Sequence, residues 1–336
     1  MKKEEMKILM EKVNDYWIGK NPESGDCAWE RGAYFIGNME AYRVLGKQEY
    51  LDYAVKWAND NGWCFFDDPD YNTENADNKI CGQTYLDLLE MGIEGATDEH
   101  MLKTIDNLSE DENNDYWWWV DTIYMALPVF FRMAKKYNNK AYSEKGHKLY
   151  MDTKVRRKLF DEENSLWYRD ERFLPGGEFV PNGEQIFWGR GHGWIFAGVA
   201  RALMYIDRED EYFEEYSQML VRMAKELVKY QQADGFWRYN LTVPQEYDIP
   251  ETSATVLIGY GMALGVRLGV LDEKYLESAI KAYEGLNKIA LNDEGRIGYV
   301  QGVAWGPTPV YEDGTNDYAV GTYLLLASEI LKACDE

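Results

Sequence analysis

The sequence predicts an all-α chain folded as an (α/α)6 barrel, six helical hairpins closed into a ring with an inner and an outer layer. Three observations predict it. Helical apolar periodicity recurs from end to end, over 4–19, 31–46, 48–60, 80–92, 98–110, 118–136, 140–153, 189–206, 211–233, 252–270, 272–290 and 317–334. The segments alternate between amphipathic and apolar nearly all round. Several consecutive ones meet at a short bend (Gly46, Asn138-Asn139, Gly269), the geometry of antiparallel hairpins.

Taken in order, the opening segment MKKEEMKILMEKVNDYW is amphipathic and has no apolar stretch long enough for a secretory leader. Segments 31–46 and 48–60 form the next pair across Gly46. The glycine turn Asn61-Gly62-Trp63 follows; Asp234-Gly235-Phe236-Trp237 and Gly295 to Tyr299 echo it, a degenerate internal repeat. After 80–92 and 98–110 comes 118–136, where Ile123, Met125, Ala126, Leu127, Val129, Phe130, Phe131 and Met133 cover every side of a helical wheel. A helix apolar all round is buried all round. Asp121, an ionisable acid in its first turn behind Trp117, Trp118 and Trp119, therefore sits at the mouth of something enclosed. Segment 189–206 (Trp194, Ile195, Phe196, Ala197, Val199, Ala200, Leu203) reads as interior, and so does 252–270. Between them, 211–230 places Tyr216, Met219, Leu220, Met223 and Leu227 on one face and Glu214, Glu215, Arg222 and Lys225 on the other, a surface helix. Segments 272–290 and 317–334 complete the alternation. Nothing resembling a linker divides the chain, so 1–336 reads as one domain; a two-domain helical bundle is the structural alternative.

Composition narrows the function. Aromatic residues make up 15%, including 12 Trp and 26 Tyr, an excess that suits stacking against flat ligands or sugar rings. With 36 basic against 59 acidic residues the net charge is −23, a field that repels nucleic acid and anionic membranes. No run of eighteen apolar residues is present to span a membrane. Cys27, Cys64, Cys81 and Cys334 lack CxxC spacing, and His100, His147 and His192 are scattered. Neither a metal site, a cofactor nor a disulfide framework is expected, and a reduced, cytoplasmic protein is.

In such a ring the N-termini of the inner helices converge on one face. The residues there are polar and aromatic: Trp29, Glu30 and Arg31; Asn75, Asp77 and Gln83; Trp117 to Asp121; Trp188, Arg190 and His192; Glu251 to Ser253; Asp313, Asn316 and Asp317. Each has a plainer role available. Asp77 and Asp121 could be helix caps, Arg190 the partner of a structural acid, His192 a satisfied core histidine, and Thr252 or Ser253 the cap of the helix that follows.

The runs NADNKICGQTYLDLL (75–89), YWWWVDTIYMALPVFFRMAK (116–135), LWYRDERF (166–173), FWGRGHGWIFAGVARAL (187–203) and PETSAT (250–255) resemble glycoside hydrolase family 105, the unsaturated rhamnogalacturonyl and related unsaturated uronyl hydrolases. The resemblance covers roughly 30 to 330 with the motifs in order, and it implies an (α/α)6 barrel. It implies that Asp121 is the catalytic acid/base and Asp77 the second active-site aspartate. Arg190 and Trp188, with His192, Trp29, Trp118, Tyr168, Arg169 and Gln83, are the expected substrate-binding set. Two departures stand out: His192 where the family run has Asn, and Asn78 where a second Asp is common.

The implied substrate is an oligosaccharide ending in a 4,5-unsaturated uronic acid. Its C4=C5 bond is an enol ether, so one carboxyl can protonate C4 and then accept a proton from the water that adds at C5. Flanking tryptophans and a neighbouring Asp77 carboxylate push the pKa of Asp121 up and the helix N-terminus pulls it down, which leaves the net direction open, and Arg190 is expected to hold the substrate carboxylate. A conventional glycosidase, a sugar epimerase and a non-catalytic sugar-binding barrel are the competing readings.

Overall fold

Amphipathicity sorts the helices into two layers. The computed structural model describes residues 2–66, 74–244 and 248–334. Along them run α1 (Lys3–Lys20), α2 (Trp29–Leu45), α3 (Gln48–Asp60), α4 (Cys81–Glu90), α5 (Glu99–Glu110), α6 (Thr122–Met125), α7 (Leu127–Tyr137), α8 (Lys140–Met151), α9 (Gly189–Leu203), α10 (Phe213–Leu227), α11 (Thr252–Arg267), α12 (Lys274–Gly285) and α13 (Asp317–Ala333). Outer α10 buries only Tyr216, Met219, Leu220, Met223, Ala224 and Leu227, one face at three- and four-residue steps. Inner α11 is buried continuously from Thr252 to Gly265. The inner helices pack in sequence, α2 on α4, α4 on α7, α6 and α7 on α9, α9 on α11, α11 on α13 and α13 back on α2, which closes the ring.

The closure is made by glycine against glycine. A Cβ at Gly37 of α2 would lie 1.9 Å from the Gly321 carbonyl oxygen, and one at Gly321 would lie 2.4 Å from Ala33 O and Tyr34 Cα. Backbones this close leave no room for a side chain on either helix.

The segment expected as one helix over 118–136 differs in two ways. Trp117–Trp119 are not helical: Trp119 pairs with Asp170 as an isolated β-bridge, and Val120 N–H donates to Arg169 O at 3.0 Å. Extended backbone sends neighbouring side chains to opposite sides. Trp117 is accordingly buried edge-on to Phe130, while Trp118 is exposed at the surface of the ring. The helix then breaks at Ala126, between α6 and α7, because Pro128 has no N–H for the Tyr124 carbonyl. Gln83 Nε2 donates to that carbonyl instead, at 3.0 Å. A short antiparallel pair, β1 (Phe160–Asp161) with β2 (Leu166–Trp167), leads into Arg169 and Asp170. No helix among the described residues is long and apolar enough to cross a membrane.

Candidate active site

The N-terminal ends of the inner helices surround a cavity of about 660 Å³. Its wall includes Trp29, Asp77, Trp118, Asp121, Arg169, Trp188 and Arg190, seven of the ten residues singled out from the sequence. It also includes Asn75, Trp119, Arg172, Trp194 and the loop residues Val303 to Trp305.

Asp121 stands at the N-cap position of α6 but makes no capping hydrogen bond, so the cap reading does not describe it. Arg169 Nε lies 3.5 Å from its Oδ2, and Oδ1 has no hydrogen-bond partner among the described residues. Asp77 opens a short 3-10 turn before α4, and its Oδ1 is likewise unpartnered. Both carboxyls are pushed toward the protonated form. Burial, and then the Asp121 charge, raise Asp77 to about 7. Burial raises Asp121 as well, against the pull of Arg169 and Arg190 and with Asp170 adding to the rise. The net direction at Asp121, open in the sequence, is upward; Asp77 rises with it, and two interacting buried acids favour sharing a proton.

Arg190 is 1% exposed, and no carboxylate lies within 4 Å of it among the described residues. Its Nη1 donates to Gln301 O at 2.7 Å and to the Tyr318 hydroxyl at 2.9 Å, and Nη2 donates to Gly302 O at 3.0 Å. Trp188 and Tyr318 cover its guanidinium, with ring centroids 4.7 and 5.1 Å away. Trp188 itself donates from Nε1 to Gln301 Oε1 at 2.9 Å. The paired-acid reading of Arg190 therefore does not hold: the groups in contact with its guanidinium are carbonyls, the Tyr318 hydroxyl and ring faces. Arg169, by contrast, is tied to Asp170 at 2.6 Å. Asp170 also binds Arg172 twice, Nε and Nη2 each at 2.8 Å, so one buried carboxylate orders both arginines.

Three expected site residues face elsewhere. Gln83 is spent inside the ring, accepting from Arg201 Nε at 2.6 Å while it donates to Tyr124 O. Tyr168 donates its hydroxyl to Asp161 at 2.7 Å and accepts from Gln185 at 3.1 Å, outside the cavity wall. His192 lies behind Trp188; Trp167 N–H donates to its Nε2 at 2.9 Å, and Nδ1 is 2.7 Å from Trp188 O, which makes Nδ1 the protonated nitrogen. Burial pushes its pKa down to about 4, so it is neutral at pH 7. The departure from the family run at this position thus lies behind the wall. His192→Ala is expected to strand the buried Trp167 N–H, while Trp188 O keeps the His192 backbone N–H, and to lower stability by about 1–3 kcal/mol, while the pH dependence of turnover between pH 5 and 8 stays where it was; thermal melts and a pH–rate profile check both. Thr252 and Ser253 do not cap α11. Glu251 does, accepting from Ser253 N at 2.8 Å and Ala254 N at 2.7 Å.

No group of three or more His, Cys, Asp or Glu among the described residues is arranged to hold a metal ion. The cavity offers two buried acids, each with one carboxyl oxygen unpartnered among the described residues, a buried cation with no acid in contact, and tryptophan faces. That arrangement fits a sugar ring bearing a carboxylate.

Comparison with known proteins agrees in fold and chemistry. The family profile of Glycosyl Hydrolase Family 88 matches residues 1–334. An unsaturated 3S-rhamnoglycuronyl hydrolase of Formosa agariphila is 30% identical over 330 residues, 90% of this chain and 84% of that protein. A solved glycosyl hydrolase family 88 protein from Bacteroides vulgatus superimposes with a TM-score of 0.91 at 30% identity, over 99% of this chain and 100% of that one. A structure described as a polysaccharide lyase reaches 0.91 at 34% identity, over 99% and 98%.

Proposed function

The chain belongs to Glycosyl Hydrolase Family 88, and from that premise we propose that it removes the 4,5-unsaturated uronic acid from the non-reducing end of lyase-generated oligosaccharides. The observation that carries this is a buried guanidinium, Arg190, with no acid partner, sharing a cavity with two carboxyls biased toward protonation. An unsaturated uronate supplies what each lacks: a carboxylate for the cation and an electron-rich alkene for the acid. The motif order further supports placing the chain in the family 105 branch, and 1–336 as one catalytic domain. Four cysteines, none in a disulfide among the described residues, suit a cytoplasmic place of action.

In this reading Asp121 gives its proton to C4, and positive charge develops on C5 and the ring oxygen. Water adds at C5 and returns a proton to Asp121. The resulting hemiketal opens, freeing a hydroxyl at C1, and the hemiacetal left there expels the second sugar. Asp77 and Asp121 hold a proton between them near neutrality, because burial and the charge of the neighbour oppose ionisation of the pair. Bound substrate carboxylate adds a further negative charge and pushes both acids up again. Stacking on Trp29 or Trp188 fixes the ring plane.

A conventional retaining glycosidase requires one carboxyl ionised as nucleophile, and a lyase requires a base to remove a proton. Two raised acids favour neither. One assay separates the three: absorbance of the unsaturated uronate falls under hydration, rises under elimination, and is unchanged when saturated sugars alone are cleaved. A rise, or no change, overturns the proposal.

The electrostatics set a pH dependence. Asp77, with its pKa about 7, loses its proton as pH rises through neutrality, so kcat/KM is expected to fall on the alkaline side of about 7. A raised carboxyl binds more protons folded than unfolded, and stability falls as pH rises between its unfolded and folded values. Asp77→Asn should therefore raise Tm at pH 8, with the gain shrinking toward pH 5, while the alkaline limb of activity moves to lower pH. Melts and rate profiles at the two pH values check it.

A further inference from the structure

The rim of the cavity carries a built feature that the uronate pocket does not use. The Arg172 guanidinium lies between aromatic rings, its central carbon 5.6 Å from the Trp118 centroid, 5.4 Å from Trp305 and 5.0 Å from Phe179. Exposed indoles that cluster, unlike single ones, mark a binding surface; Trp118 is 42% and Trp305 64% exposed, and both lie against Arg172. Neither is held loosely. Trp118 immediately precedes the Trp119–Asp170 bridge and lies three residues before Asp121. Trp305 is followed by Gly306, where a Cβ would meet the Phe173 ring at 2.7 Å, and Gln301 Nε2 donates to Gly306 O at 2.8 Å. Arg172 keeps its position through two bonds to Asp170, and its Nη1 has no hydrogen-bond partner among the described residues.

We infer that Trp118, Arg172 and Trp305 form the seat for the second sugar, the one that departs. The inference rests on the proposed reaction and deepens it. The ligand class is a pyranose with an exposed C–H face, stacked on an indole, with one ring oxygen substituent accepting from Arg172 Nη1. Asp170 answers the Arg172 charge, so the seat works chiefly by face-to-face contact. The same carboxylate orders Arg169 beside Asp121, which couples the position of the leaving sugar to the position of the acid.

The test compares an unsaturated uronyl disaccharide with the methyl glycoside of the same unsaturated uronic acid. In Trp305→Ala the ratio of their kcat/KM values is expected to fall about tenfold, the size of one lost stacking contact. Trp305→Phe, which keeps a ring face, should recover much of that ratio. An unchanged ratio in Trp305→Ala, or a Phe variant no better than Ala, overturns the seat and leaves the reaction standing. Failure of the unaltered enzyme to turn over either compound overturns the reaction, and the seat with it.

Discussion

Asp121→Asn is expected to lower kcat by about a thousandfold or more, with the fold intact, because proton transfer by a positioned group contributes on the order of 10²–10⁴ and the same residue is proposed to serve both proton steps. The side chain makes no capping bond at α6 and its Oδ1 has no partner, so the amide disturbs no structural contact on that side. The remaining contact, Arg169 Nε at 3.5 Å, loses its ionic character. KM for the disaccharide should change little, since the carboxylate and the second sugar are held by other groups. Single-turnover kinetics beside a thermal melt give the measurement. A variant that keeps even a tenth of the rate removes Asp121 from the proton-transfer role.

The second large effect is expected at Asp170, which never touches the reacting atoms. It is 1% exposed and bound by Arg169 and Arg172 through three side-chain contacts. Burial alone would raise it; the bonds from Arg172 and Arg169 outweigh burial and hold it below the usual carboxylate range. Asp170→Asn leaves two guanidiniums without their anion, and breaking such a buried set costs about 3–5 kcal/mol. Its effect on the rate has a distinctive sign. Arg169, released from Asp170, turns its charge on Asp121 and stabilises the ionised form, so the acid is lost at neutral pH. We expect kcat to drop about a hundredfold and the alkaline limb of the pH profile to move downward. A purely structural Asp170 would lower Tm without moving that limb, which is the outcome that excludes the positioning role.

The contrast between Asp121 and Arg172 marks what the sequence could tell. Asp121 was legible because one acid ahead of an apolar-all-round helix has few explanations, and the twelve segments were legible because their periodicity is strong. Arg172 lies in the run DERF, where it reads as one more surface charge; its partners, Trp118 and Trp305, come from distant segments that only the ring brings together. Trp305 sits in GVAWGPTP, a stretch with no period to interpret. His192 and Gln83 show the opposite error. Polar residues at an inner N-terminus can face the cavity or the wall behind it, and spacing along one helix does not say which. His192 is engaged by Trp167 N–H, Gln83 by Arg201 and the carbonyl that Pro128 leaves over. Apolar periodicity extends the helix of 118–136 back through Trp118 and Trp119, where the pairing of Trp119 with Asp170 overrides helical propensity.

The glycine pair at positions 37 and 321 brings together the first inner helix and the last. A growing polypeptide therefore displays both aspartates well before the helix that backs Arg190 and Trp29 has been synthesised. Until residues 317–333 dock, Arg190 lacks the Tyr318 hydroxyl and Trp29 lacks the ring stacked on it. Chemical competence on this account arrives in a single late event, and a methyl group at either glycine would hold the chamber ajar without touching anything inside it.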